Sequence, residues 1–128
     1  MLAIPKNTIS LKGAAVKIQE EFLMKNKVSN HWELLKEMDP HLSDTIVAWR
    51  KEVESNDLIP AKYQELMRVA MGCVLRFTPA VKSHADLAVK AGATKDEVFA
   101  TLMVAMLMGG IPAFREAGTA LCDFFNEE

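Results

Sequence analysis

The chain has 128 residues, half of them apolar and a quarter charged, with 15 basic against 17 acidic side chains and a formal net charge of -2. That is enough sequence for one domain, with a radius of gyration of roughly 14 Å, and its composition is that of a folding chain rather than a disordered tail. The slight acidity and the lack of a sustained Lys/Arg cluster remove the electrostatic footprint of a nucleic-acid binder and, with it, the case for a membrane surface.

The opening Met1-Leu2-Ala3-Ile4-Pro5-Lys6 is too short and too quickly interrupted for a signal peptide. No stretch reaches the roughly 20 apolar residues that span a bilayer, so a cytoplasmic protein is expected. Two cysteines occur, Cys73 and Cys122, too far apart for a Cys-x-x-Cys pair. A disulfide scaffold or a structural zinc module is therefore not expected, and a reducing compartment suits both thiols.

Runs of alternating β-branched residues are nearly absent, and Gly and Pro punctuate segments of helical period, which predicts an all-α chain of about six to seven helices. Residues 1–11 read as irregular. A first helix is expected over about 12–25, with Ala14, Ala15, Ile18 and Phe22 as its stripe. Ser29 and Asn30 can cap a second through Trp32, Leu34, Leu35 and Met38, stopped by Asp39-Pro40. A third, about 41–55, is expected to bury Leu42, Ile46, Val47 and Trp49.

Pro60 suits a first turn, and Leu66, Val69, Ala70, Cys73 and Val74 recur behind it at helical spacing. Pro79 cannot sit inside that helix, so Thr78 as N-cap and Pro79 at the next position start a fifth. It ends at Ala91-Gly92, where glycine can take the left-handed cap. Thr94 to Glu97 forms a capping box for a sixth helix with Val98, Leu102, Val104, Ala105 and Leu107. Gly109-Gly110 breaks it, and a last helix carries Pro112, Phe114, Ala117, Ala120, Leu121 and Phe124. The tight joins at 76–79, 92–94 and 109–112 gather residues 60–126 into a bundle, with 1–59 as cover or assembly segment of the same domain.

Charged groups on apolar stripes are the informative ones. Glu65 lies one turn before Val69 and about two before Gly72, so it is either solvated at the edge of the stripe or held in a polar pocket with a partner. His84 shares a face with Ala80, Leu87, Ala88 and Ala91, and reads either as a satisfied core or interface histidine or as a general acid/base. His31 and His41 precede helices and read as surface or capping-region residues, and the three histidines have no metal-ligand spacing. Cys73 among Val69, Ala70, Val74 and Phe77 reads as a small buried hydrophobe more readily than as a nucleophile, and Cys122 is expected to pack near Phe125. Met71, Met103, Met106 and Met108 read as flexible core filling, or as the lining of an adaptable apolar cavity.

Set side by side, Tyr63-Gln64-Glu65-Leu66, His84, Ala91-Gly92-Ala93-Thr94 with Asp96-Glu97-Val98, and Leu107-Met108-Gly109-Gly110-Ile111-Pro112 resemble the carboxymuconolactone decarboxylase family, which also contains the AhpD-like alkylhydroperoxidases. The resemblance implies an AhpD-like all-α bundle and a homo-oligomer, commonly a trimer or hexamer, with cavities near subunit contacts. It implies Glu65 and His84 as a proton relay; no cofactor or metal is expected. Thiol-active members carry a Cys-x-x-Cys where this chain has Phe77 and Ala80, so the resemblance withholds the peroxidase mechanism.

Two classes of function follow: a cofactor-free lyase acting on a small carboxylated lactone or related acid, or a non-catalytic oligomer that binds a small molecule. A thiol enzyme built on Cys73 is a third, which a fully buried sulfur would exclude. For the lyase, Arg68, Arg76 and Arg115 are the candidate cations for the substrate carboxylate, with Phe77 beside them as a further substrate contact.

Overall fold

The computed structural model describes residues 28–128, so the helix expected over 12–25 lies outside the described residues. The chain divides into two compact units, residues 1–53 and 54–128. Among the described residues the elements are all helical: α1 (His31–Met38), α2 (Pro40–Glu54), α3 (Ala61–Val74), α4 (Thr78–Lys90), α5 (Lys95–Gly109), α6 (Ile111–Ala120) and α7 (Cys122–Asn126).

In the first unit, the Asn30 side chain caps α1 by accepting from the backbone N–H groups of Trp32 and Glu33 at 3.0 and 3.1 Å. The Glu33 carboxylate reaches back to the Ser29 amide and hydroxyl, and the amide bond in particular holds its pKa below the usual carboxylate value. Asp39 ends α1, and Arg50 of α2 stacks over the Trp32 ring at 5.4 Å. The expected burial of α2 is not found: no residue of α2 is buried, and Leu42, Val47 and Trp49 are exposed. Helical spacing marks a face; only a neighbour laid against that face turns it into a core.

The second unit is a helical bundle. Its core takes Leu66, Val69 and Cys73 from α3, Val81, Ala85 and Ala88 from α4, Val98, Leu102 and Ala105 from α5, and Ala113 and Ala117 from α6, closed by Leu121 and Phe124. Small residues on facing helices let the axes come close. An added Cβ at Gly72 would stand 3.1 Å from Val81 Cγ2 and 3.3 Å from the Val81 backbone nitrogen, so α3 and α4 touch with no room for a side chain between them.

Several local starts and stops shift by a residue or more. Pro60 is the N-cap of α3 rather than its first turn. Thr78 is already helical, because the Phe77 carbonyl accepts from Ala80 and Val81 and makes Phe77 the cap. Thr94 caps α5 through Glu97 N–H at 3.1 Å, but the Glu97 carboxylate completes an ion pair with Lys62 at 3.2 Å instead of closing the box. The expected last helix is two, because Leu121 N–H is shared between the carbonyls of Ala117 and Gly118.

The outer faces also differ from expectation. Val74, Val104, Leu107, Met71 and Met108 are exposed, and Met103 alone of the four methionines packs against the core. Helix α5 is apolar on every side, so its sequence alone does not mark which residues turn inward.

The α3–α4 turn is a Schellman motif: Phe77 N–H donates to Gly72 O at 2.9 Å and Arg76 N–H to Cys73 O at 3.1 Å. Its left-handed position, φ 57°, is held by Arg76, whereas the equivalent turn after α4 uses Gly92 at φ 104°. An L-residue there is strained by about 1–2 kcal/mol, partly offset by the chain entropy glycine would add to the unfolded state. Arg76→Gly should therefore stabilise the second unit by about 0.5–1 kcal/mol, measured as a raised urea midpoint at unchanged m-value.

Candidate functional site

The close α3–α4 contact brings two ionisable residues together beside the core. Glu65 precedes buried Leu66 on α3, and His84 lies between buried Val81 and Ala85 on α4. Inward-facing positions of α4 are Val81, Ala85 and Ala88, not the Ala80, Leu87 and Ala91 of the sequence reading, so His84 flanks the buried face.

Glu65 Oε2 stands 2.7 Å from His84 Nδ1, with side-chain exposures of 15% and 21%. That is hydrogen-bond distance at partial burial, where water competes less than on an open surface. A carboxylate only accepts, so Nδ1 carries the proton in this bond, and Nε2 has no partner among the described residues.

Arg68, one turn beyond Glu65, holds the other carboxylate oxygen: Nη1 lies 2.9 Å from Glu65 Oε1, and Nη2 lies 2.8 Å from Glu54 Oε1. The Gln64 amide donates to the carbonyls of Glu54 and Ile59 at 3.1 and 2.8 Å, tying the segment before α3 to the helix. The result is a chain of contacts, Glu54–Arg68–Glu65–His84, in which each Glu65 oxygen has one partner.

Of the three candidate cations, Arg68 alone contacts the pair, and its guanidinium lies between two carboxylates. Arg76 and Phe77 are exposed at the α3–α4 turn. Arg115, also exposed, lines an open groove of about 510 Å³ on α5–α7 with Phe99, Phe114, Phe125 and Cys122, which shares no residue with the pair. Sequence reasoning missed Glu54, whose partner lies 14 residues away across a loop, a separation that no helical period picks out.

The cysteines part ways. Cys73 is fully buried, and burial pushes its thiol pKa up, which removes the nucleophile reading. Cys122, expected to pack, is exposed, its Sγ donating to Gly118 O at 3.4 Å because α7 starts there and turns the residue outward. His31 and His41 are exposed, but they lie in the first turns of α1 and α2 rather than before them. No group of three or more His, Cys, Asp or Glu side chains that could hold a metal occurs among the described residues. No described helix is long and apolar enough to cross a membrane.

These helices and their order define an all-α, AhpD-like bundle. The chain matches the carboxymuconolactone decarboxylase family over residues 40–121 and belongs to it. No curated protein and no solved structure shows significant similarity to it.

Thiol accessibility gives a direct check on this geometry. Iodoacetamide at neutral pH should modify Cys122 alone in the native protein and both cysteines in denaturant, read by intact mass and peptide mapping. Native labelling of Cys73 at a rate matching Cys122 would contradict the buried position.

Proposed function

We propose that this chain is a cofactor-free lyase of the decarboxylase type, acting on a small carboxylated lactone or a related unsaturated acid, with His84 as general acid/base and Glu65 as its orienting partner. The observation that carries this reading is the 2.7 Å contact of Glu65 with His84 Nδ1, which leaves Nε2 available. Decarboxylation breaks the bond to the carboxylate carbon, releases carbon dioxide and sends the electron pair into the conjugated carbonyl. The resulting dienolate then takes a proton at carbon. A histidine whose one nitrogen is fixed by a carboxylate suits that return of a proton from the other.

Arg68 acts in this scheme as a positioning residue. Its bridge between Glu54 and Glu65 holds the Glu65 carboxylate with one oxygen toward His84. Arg76 and Phe77, eight and seven residues before His84 in the turn that leads into α4, are the candidates to meet the substrate carboxylate and ring. The exposed apolar side chains Leu75, Leu107 and Met108, at 76, 83 and 84%, support a homo-oligomer, for which the family resemblance implies a trimer or hexamer. Two unpaired thiols suit the cytoplasm.

A second reading, a non-catalytic oligomer that binds a small molecule, is favoured by the α5–α7 groove, which lies on other residues than the pair. A screen of purified protein against carboxylated lactones and hydroperoxides separates the two. Lactone turnover is expected, falling about 10²–10⁴-fold in His84→Ala and also in Glu65→Gln. Arg68→Gln should lower kcat and displace the pH–rate profile, with partial recovery in Arg68→Lys. Turnover unchanged by His84→Ala rejects the assignment, and no turnover of any member favours the binding protein.

A further inference from the structure

The groove on α5–α7 has a composition of its own. Its volume, about 510 Å³, falls within the roughly 300–1,000 Å³ of small-molecule sites. Phe99 meets Phe114 and Phe125 edge to face, with ring centroids 6.4 and 6.3 Å apart, so three rings form fixed apolar walls. Gly118, also in the lining, lets the Phe114 ring lie against the α6 backbone: a Cβ there would stand 3.3 Å from that ring.

The polar side chains in the lining are mostly spent internally. Thr119 Oγ1 donates to the Arg115 carbonyl at 2.6 Å, and Cys122 Sγ to the Gly118 carbonyl. The Arg115 guanidinium is the exception, with no partner among the described residues. A ligand complementary to this surface has a flat apolar body and an anionic end, since the lining is mostly apolar and Arg115 is its one cation. We propose that the groove is a binding site for a small aromatic monocarboxylate, its carboxylate on Arg115 and its ring among Phe99, Phe114 and Phe125. The site is separate from Glu65 and His84 and does not depend on their chemistry.

The test uses 2-naphthoate and its neutral counterpart 2-naphthalenemethanol, titrated into the full chain by calorimetry and NMR. Naphthoate should bind one saturable site, about tenfold or more weaker in Arg115→Gln, while the alcohol binds weakly and equally to both proteins. Naphthoate should also slow Cys122 alkylation in the wild-type protein, and Gly118→Leu should abolish binding of both compounds while the far-UV spectrum is kept. Naphthoate affinity equal in wild type and Arg115→Gln overturns the proposal. So does absence of saturable binding or of Cys122 protection, including the case where sedimentation shows the groove taken up by a second copy of the chain.

Discussion

The proximity of α3 and α4 at Gly72 is the constraint on which the site depends. Gly72 leaves no room for a side chain of its own against Val81, whose methyl and backbone nitrogen both close on it, so the spacing of the two helices is set by a tight contact rather than by long flexible groups. Glu65 lies seven residues before Gly72, and His84 three residues after Val81, so both reach from helices whose spacing is already fixed. A 2.7 Å contact between an acid and an imidazole on separate helices requires that kind of rigidity, since both side chains must otherwise lose rotamer freedom to hold it.

The Arg68 bridge extends that rigidity to charge. A carboxylate with one partner can swing; one with a guanidinium at one oxygen and an imidazole at the other has a defined plane. Glu54 on the far side of Arg68 fixes the guanidinium in turn, and Gln64 holds the backbone from which Glu54 projects. The last residue of α2 thereby belongs to the same unit as the pair it supports.

Those starts and stops that are written in local chemistry were legible: Asn30 as a cap, Pro79 in a first turn, Gly92 and Gly110 at positive φ, Thr94 before Glu97; the break at Leu121, which no Gly or Pro marks, was not. The Glu65–His84 pair was legible from stripe positions together with the family pattern. Glu54 was not, because a contact across a loop leaves no period. The inner face of α5 was not either: with Val104, Leu107 and Met108 as apolar as Val98, Leu102 and Ala105, only the neighbours decide which three are covered. Arg68 was read as a cation facing substrate; its charge was evident, but not the two carboxylates that flank it.

The interruption at Leu121 has an effect beyond shortening a helix. It sets Phe124 and Phe125, neighbours in sequence, to different tasks: Phe124 is buried in the core, while Phe125 faces the groove, and the two rings meet at 5.0 Å and 86°. Adjacent residues on one helix point about 100° apart, so a single short helix can serve as core wall and groove wall at once. Pressure on one ring is thus transmitted to the other across an edge-to-face contact. Whatever occupies the folded groove draws on the same packing that closes the bundle, which makes occupancy and resistance to unfolding two readings of one equilibrium.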